Sequence, residues 1–189
     1  MSRLLAILVC VCAGLPAPAP AQAQRVTSID PARSEIAFVA KQMGVPAEGR
    51  FKRFVVQVDF DPAKLAASHA QIEIDLSSFD SGVAEVDVEV SKKAWFNTAQ
   101  FPTATFASSS VRALGGGRYE AAGKMSIKGR TREVSAPFAV KQVGGAIVFE
   151  GVFTLRRLEY GIGEGPWSDT DTVADEVQVR FKLTGANPK

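Results

Sequence analysis

The feature that most restricts this chain is a side-chain alternation with a period of two, repeated in segment after segment beyond residue 25 and broken by glycine-rich turns. Such a period puts every second side chain on one face of an extended strand, whereas a helical face needs a period of 3.6. Ile36, Phe38 and Ala40 alternate with polar or small residues; Phe54, Val56, Val58 and Phe60 do so before Asp61-Pro62, and Ile72, Ile74 and Leu76 before Ser77-Ser78. Phe106 to Leu114 runs into Gly115-Gly116-Gly117, Tyr119 to Ile127 into Lys128-Gly129, and Val134 to Val143 into Gly144-Gly145. These three turns predict hairpins. Ile147 to Leu155 and Val177 to Leu183 complete a predicted set of eight strands.

Antiparallel strands in this number either stack as two sheets or close on themselves, and closure removes exposed edges. The expectation is an all-β domain: an eight-stranded antiparallel barrel with a short helix packed on or near one end. Such a barrel is just wide enough to be filled by side chains or to hold one small ligand. The helix is assigned to Val83 to Trp95. Val86, Val88 and Val90 alternate as a strand would, but Val83, Val86, Val90 and Ala94 share a helical face, and the segment lies between a finished strand and an irregular loop.

The first residues read as an export signal. Arg3 supplies the positive end, Leu4 to Leu15 is an apolar run too short to span a bilayer, and Ala21-Gln22-Ala23 is a cleavage pattern. Cleavage after Ala23 leaves residues 24–189 as one domain, expected to be soluble in the periplasm. Both cysteines, Cys10 and Cys12, leave with the signal, so the mature chain has no thiol for a disulfide or a metal.

Composition narrows the chemistry. With 22 Lys and Arg against 20 Asp and Glu, and 12 Phe but only 2 Tyr and 2 Trp, the chain lacks the basic face and stacking platforms of a nucleic-acid binder. Its one histidine, His69, excludes a zinc site built on several imidazoles and would have to serve any Ser-His-Asp triad. His69 lies among small residues before a strand, which places it at the surface. Asp169, Asp171, Asp175 and Glu176 have a loose calcium-like spacing without the required loop glycine, and read as a solvated loop. Gly161-x-Gly163-x-Gly165 has no parallel-sheet unit around it and is not a dinucleotide fingerprint. No catalytic residue, metal or cofactor is assigned.

Trp95-Phe96-Asn97-Thr98-Ala99-Gln100-Phe101-Pro102-Thr103-Ala104-Thr105-Phe106, followed by Ser108, resembles the W/F-F-D-x-A-x-Y/F-P-x-A-x-F-x-S signature of YceI-like polyisoprenoid-binding proteins. Further landmarks fall in order. Ile29-Asp30-Pro31 with Ser34 and Phe38 is similar to the family's opening strand, and Gly49-Arg50-Phe51 with Phe54 to its second. Gly123 to Gly129 resembles the G-x-L-T-I-K-G hairpin, and Arg157-Leu158-Glu159-Tyr160-Gly161-Ile162-Gly163 with Trp167 and Val173 to Val179 resembles the closing stretch. The resemblance implies an extended lipocalin-like barrel with a lengthwise apolar tunnel for an isoprenoid chain, as in quinones or polyprenyl phosphates. One departure is the helix, where a frequent D-x-H-L pattern reads Asp87-Val88-Glu89-Val90 without the histidine.

Alternation then nominates the tunnel wall: Phe38, Phe54, Phe60, Ile74, Phe106, Met125, Ile127, Phe138, Phe149, Phe153, Phe181 and Leu183, with Gly151 and Gly123 leaving space between larger neighbours. Without the resemblance, any one of these is equally a core filler. A bulge between Phe51 and Phe54 would reverse the inward face after it. Arg156 and Arg157 are candidates for a phosphate headgroup, and Lys41, Arg50, Lys52 and Arg53 for an anionic membrane surface, against the plainer reading of solvated strand faces. Trp95 and Trp167 read as packing anchors at the barrel ends.

The implied function is a non-enzymatic periplasmic carrier of an isoprenoid lipid. Its partners would be that lipid and, transiently, a membrane surface or a membrane electron-transport protein, with a homodimer left open. The alternative is an enzyme acting on an apolar substrate in the same cavity through paired carboxylates, Glu159 with Asp169 or Asp175.

Overall fold

The computed structural model describes residues 25–186. The predicted signal, both cysteines and the proposed cleavage point lie outside the described residues. Ten strands form one antiparallel sheet: β1 Ile29–Gln42, β2 Val45–Phe51, β3 Phe54–Asp59, β4 His69–Asp75, β5 Phe79–Asp80, β6 Thr103–Gly115, β7 Arg118–Ile127, β8 Arg130–Val143, β9 Ala146–Arg156 and β10 Glu176–Gly185. Their order is β3-β4-β6-β7-β8-β9-β10-β1-β2-β5. The eight expected strands are all present; the two additional ones are β2 and the two-residue β5.

The sheet curls until its ends meet. β2 pairs with β1, the chain breaks register at Lys52 and Arg53, and its continuation β3 pairs with β4. At one end of this seam Val26 and Phe60 exchange both backbone hydrogen bonds, each 2.9 Å. At the other, Lys52 N–H donates to Ser78 O at 3.0 Å and Asp75 N–H to Arg53 O at 3.1 Å. Counted around the barrel, β2 and β3 act as one bent strand and β4 and β5, which pair with β3 and β2, as another, and eight staves result.

The bend explains a change of parity. Phe51 and Phe54 both turn toward the core although three positions apart, which an unbroken strand forbids. A second bulge lies in β6 between Ser108 and Ser110, so that Ala104 and Phe106 face inward before it and Val111 after it. Gly123 sits opposite. A Cβ there would lie 2.2 Å from the carbonyl oxygen of Ala107, so the bulged backbone itself takes the space expected for the interior.

One α-helix, α1 Ala84–Ser91, leaves the sheet where it was expected, although shorter than Val83 to Trp95. The Asp87 carboxylate accepts from Ser81 N–H at 2.9 Å and from Ser81 Oγ–H at 2.7 Å, tying the first turn to the loop before it. Val90 is buried against the barrel, while Val83 and Val88 stay exposed. No helix among the described residues is long and apolar enough to cross a membrane.

Candidate functional site: a two-lobed apolar cavity

Inward side chains leave two adjoining spaces along the barrel. The narrower, about 100 Å³, is bounded by Ile29, Val56, Val58, Phe60, Ile72, Phe106, Phe138, Phe149, Phe153, Phe181 and Leu183, with Asp59, Ser68 and His69 at its rim. The wider, about 240 Å³, is bounded by Phe38, Phe51, Leu76, Phe79, Val86, Val90, Trp95, Phe96, Ile127, Leu155, Ile162 and Trp167. Ile36, Ile74, Met125 and Val179, from β1, β4, β7 and β10, line both and form the junction.

Each lobe has its own aromatic cluster. In the narrow lobe Phe60 meets Tyr119 and Phe149 edge-on, with ring centroids 5.1 and 5.3 Å apart. In the wide lobe Phe38 stacks on Phe79 at 4.9 Å, and Phe51 contacts Phe38, Phe79 and Phe96 at 5.8 to 6.1 Å. Such offset and edge-to-face pairs hold ring positions while leaving an apolar surface.

Of the nominated wall residues, Phe60, Phe106, Phe138, Phe149, Phe153, Phe181 and Leu183 border the narrow lobe, Phe38 and Ile127 the wide one, and Ile74 and Met125 both. Phe54 borders neither; it packs against the cluster of Phe60, Phe149 and Leu183 from the side. Gly151 is a correction as well. A Cβ on it would lie 2.3 Å from Phe181 Cζ and 2.5 Å from the Pro137 carbonyl oxygen, so its missing side chain makes room for the Phe181 ring and not for a guest. The same relation joins Gly49 and Phe38, where a Cβ on the glycine would lie 2.4 Å from Phe38 Cζ. Sequence reasoning missed the aromatic and aliphatic lining outside the eight expected strands, namely Phe79 of β5, Phe96, Ile162 and the two tryptophans; apolar residues around α1 and after β9 were the available signal.

Neither nominated headgroup residue presents a free donor to the cavity. Arg156 ends β9 facing outward and is exposed, because Leu155 and Arg157 take the inward positions on either side. Arg157 is 2% exposed, and its guanidinium serves the loop that follows β9. Nε–H donates to Ala174 O at 3.0 Å, Nη1 to Ile162 O and Gly163 O at 2.9 and 3.0 Å, and Nη2 to Trp167 O and Val173 O at 2.8 and 2.6 Å. A guanidinium has five N–H donors, so none remains for a phosphate. Burial pulls its pKa down, and the charge of Asp175 acts against that. Gly163, at φ 77°, is required here: a Cβ would lie 2.2 Å from Arg157 Nη1. The loop is also fastened to the segment after α1, where Ala94 O accepts from Gly163 N–H and Glu164 N–H, both at 2.8 Å. Beneath, Lys128 Nζ donates to Gly161 O at 2.5 Å and to Glu164 Oε2 at 3.1 Å.

The basic residues suggested for a membrane surface are largely engaged with carboxylates: Arg50 and Lys52 with Asp80 at 3.2 and 3.1 Å, and Arg53 with Asp75 at 2.8 Å. The paired-carboxylate alternative also loses its geometry. Glu159, Asp169 and Asp175 border neither lobe. Asp169 accepts from Asp171 N–H and Thr172 Oγ1–H, Asp175 accepts from Leu158 N–H, and Glu159 lies 3.9 Å from exposed Arg132. No group of three or more metal-ligating side chains occurs among the described residues.

Comparisons with known proteins agree with this architecture. The YceI-like domain model matches residues 28–185. A UPF0312 protein of Vibrio cholerae is 30% identical over 161 residues, covering 78% of this chain and 83% of its own. The crystal structure of Burkholderia cenocepacia BcnA superposes with a TM-score of 0.82 at 44% identity, covering 84% of this chain and all of its own. A polyisoprenoid binding domain from Saccharophagus degradans, described as implicated in plant cell wall breakdown, superposes with a TM-score of 0.66 at 17% identity, covering 87% of this chain and 100% of its own. The family pattern spans every strand described above, from the start of β1 to the end of β10, and this chain belongs to the YceI-like family.

Proposed function

We propose that the two-lobed cavity holds the hydrocarbon tail of an isoprenoid lipid of the quinone or polyprenyl type, and that the protein is a non-enzymatic carrier or reservoir for it in the periplasm. The observation that carries this reading is the continuity of the lining: two apolar spaces share Ile36, Ile74, Met125 and Val179 along the barrel. Removing apolar surface from water is worth roughly 25 cal/mol per Å², or about 0.8 kcal/mol per methylene, so a tail of several isoprene units binds without any charged contact. The Saccharophagus neighbour named for polyisoprenoid binding supports the ligand class. Export is the expectation from residues 1–23. The carboxylates proposed for an enzymatic alternative do not reach the cavity, which favours binding over turnover.

Purified protein extracted with organic solvent should release an isoprenoid lipid identifiable by mass spectrometry. Protein that is empty, and stays empty when offered quinones and polyprenyl phosphates, would overturn the carrier reading. Conversion of an offered lipid to a new product would replace it with the enzymatic one.

A further inference from the structure

The two lobes differ in how they meet solvent. Of the residues bordering the narrow lobe only His69 is exposed; at that end of the barrel Phe60, Phe149 and Leu183 are buried, and Val26, bonded to Phe60, straps the end across. The wide lobe has four exposed residues in its wall, Gln42, Ala47, Glu48 and Val86. They sit on β1, β2 and α1, and these elements leave a gap. β2 pairs with β5 only through Arg50 and Phe51, so Val45 to Gly49 have no strand on their outer side among the described residues. The mouth of the cavity therefore lies between the β1–β2 hairpin and α1.

Apolar side chains continue outward on both sides of this mouth. Val45 pairs with Gln42 and lies two positions before Ala47, on the lobe-facing side of β2. Val83, immediately before α1, extends the helical face of Val86 and Val90. Val45 is 65% exposed and Val83 49%, while Met43, at the tip of the hairpin, is 77% exposed. The tip is held in place: Met43 N–H donates to Thr172 O and Ala174 N–H to Lys41 O, both at 2.9 Å. Met43 has a φ of 50°, a conformation in which Asn, Asp or Gly is usual, so the tip carries an apolar residue where the backbone favours a polar one.

Charge around the mouth is balanced. Residues 41–48 and 83–93 carry three lysines, Lys41, Lys92 and Lys93, against four carboxylates, Glu48, Glu85, Asp87 and Glu89. Glu89 is held by Lys92 at 2.6 Å, and Glu48 lies 3.5 Å from Arg180. An anionic surface finds no basic cluster here, whereas an uncharged apolar one meets no net charge of either sign.

We propose that the tip of the β1–β2 hairpin and the adjoining end of α1 form a docking surface for a lipid bilayer, held by insertion of Met43, Val45 and Val83 and not by charge, and that the guest passes between bilayer and wide lobe through the gap they flank. This rests on the carrier reading and adds the surface of exchange and the partner it fits. A tail that crosses there stays against apolar groups throughout and never has to enter water.

The test uses the folded chain and phosphatidylcholine vesicles. Wild-type protein should co-float with them, no more tightly when a third of the lipid is phosphatidylglycerol, and high salt should not release it. Met43→Asp and Val83→Asp should each weaken vesicle binding about tenfold, the scale of leaving one Met- or Val-sized side chain in water. Both variants should fold, since Asp tolerates the φ of Met43 and is a preferred residue at the start of a helix. Val143→Asp is the control: Val143 is 55% exposed at the tip of the β8–β9 hairpin, at the opposite end of the barrel, and vesicle binding should not change. A prenylated quinone dispersed in detergent should load Met43→Asp and Val83→Asp as it loads the wild type, because neither residue borders a lobe, while transfer from quinone-loaded vesicles slows about tenfold. Wild-type protein that ignores neutral vesicles, binding that requires phosphatidylglycerol and is lost in salt, or an equal loss in Val143→Asp would each overturn the docking surface, and the carrier reading stands if dispersed quinone still loads. If dispersed quinone does not load the wild type, the carrier reading falls, and the route of exchange falls with it.

Discussion

All five N–H groups of Arg157 point at carbonyls of the loop that forms one wall of the wide lobe, and no carboxylate shares the task. The residue works as an internal scaffold, replacing the backbone partners that an irregular segment does not find in a sheet. Arg157→Met keeps much of the volume and leaves five carbonyls to be satisfied in other ways. The expected loss is at least about 3 kcal/mol in urea unfolding, because each unpaired buried polar group costs roughly 1–3 kcal/mol. Lipid loading should fall with it as the wall loosens. A stability unchanged from wild type would show that water takes over the carbonyls without loss. The sequence announces an arginine in a family pattern, but its destination depends on a loop that returns to it 16 and 17 residues later, at Val173 and Ala174, which no local signal encodes.

Within single strands, the alternation was legible and sorted most inward residues correctly. Across bulges it was not. The break at Lys52–Arg53 and the one between Ser108 and Ser110 each shift parity, and both depend on pairing with distant strands. Glycines show the same limit at the level of paired elements. Gly151 faces Phe181 of β10 and Gly49 faces Phe38 of β1, so each glycine takes its meaning from an aromatic ring on the neighbouring strand. Gly151→Ala should therefore cost about 1–3 kcal/mol by overpacking, since the added methyl meets both the Phe181 ring and the Pro137 carbonyl. Pairing it with Phe181→Leu should restore part of the loss, and equal losses in the single and double variants would argue against this contact. A larger side chain at Gly151 tests folding before it tests occupancy. The helix after β5 was recoverable from its valine face, and the lining contributed by the loops around it was not, because loop residues carry no period.

For the molecule as a whole, ionic contacts gather on the outer surface and apolar ones inside, which gives stability a simple dependence on acid. Asp59, Asp80, Glu89, Glu150 and Glu164 are held below the usual carboxylate range by hydrogen bonds from Arg25, Lys52, Lys92, Lys141 and Lys128; Asp75 and Asp169 are held there chiefly by Ser77 and Thr172. A carboxylate whose folded pKa is depressed contributes stability that is fully present above its unfolded value and is lost as the pH falls through the folded one. Thermal unfolding should thus vary little between about pH 5 and 8 and fall below about pH 4, with a smaller drop at high salt because these groups are exposed to screening. A midpoint that declines between pH 8 and 6 would contradict this assignment. Bound lipid should raise the midpoint at every pH by binding only the folded barrel.

The junction of Ile36, Ile74, Met125 and Val179 joins staves from around the barrel, and β1 alone, at about 3.3 Å per residue, runs roughly 46 Å. A guest that fills both lobes has to slide past these four side chains end-on, one repeat after another. Loading and release are then movements along a single axis, so their rates should fall with each repeat added to the tail, while a guest short enough to stay within the wide lobe leaves in one step. On these grounds the barrel would sort its guests by residence time before it sorts them by affinity.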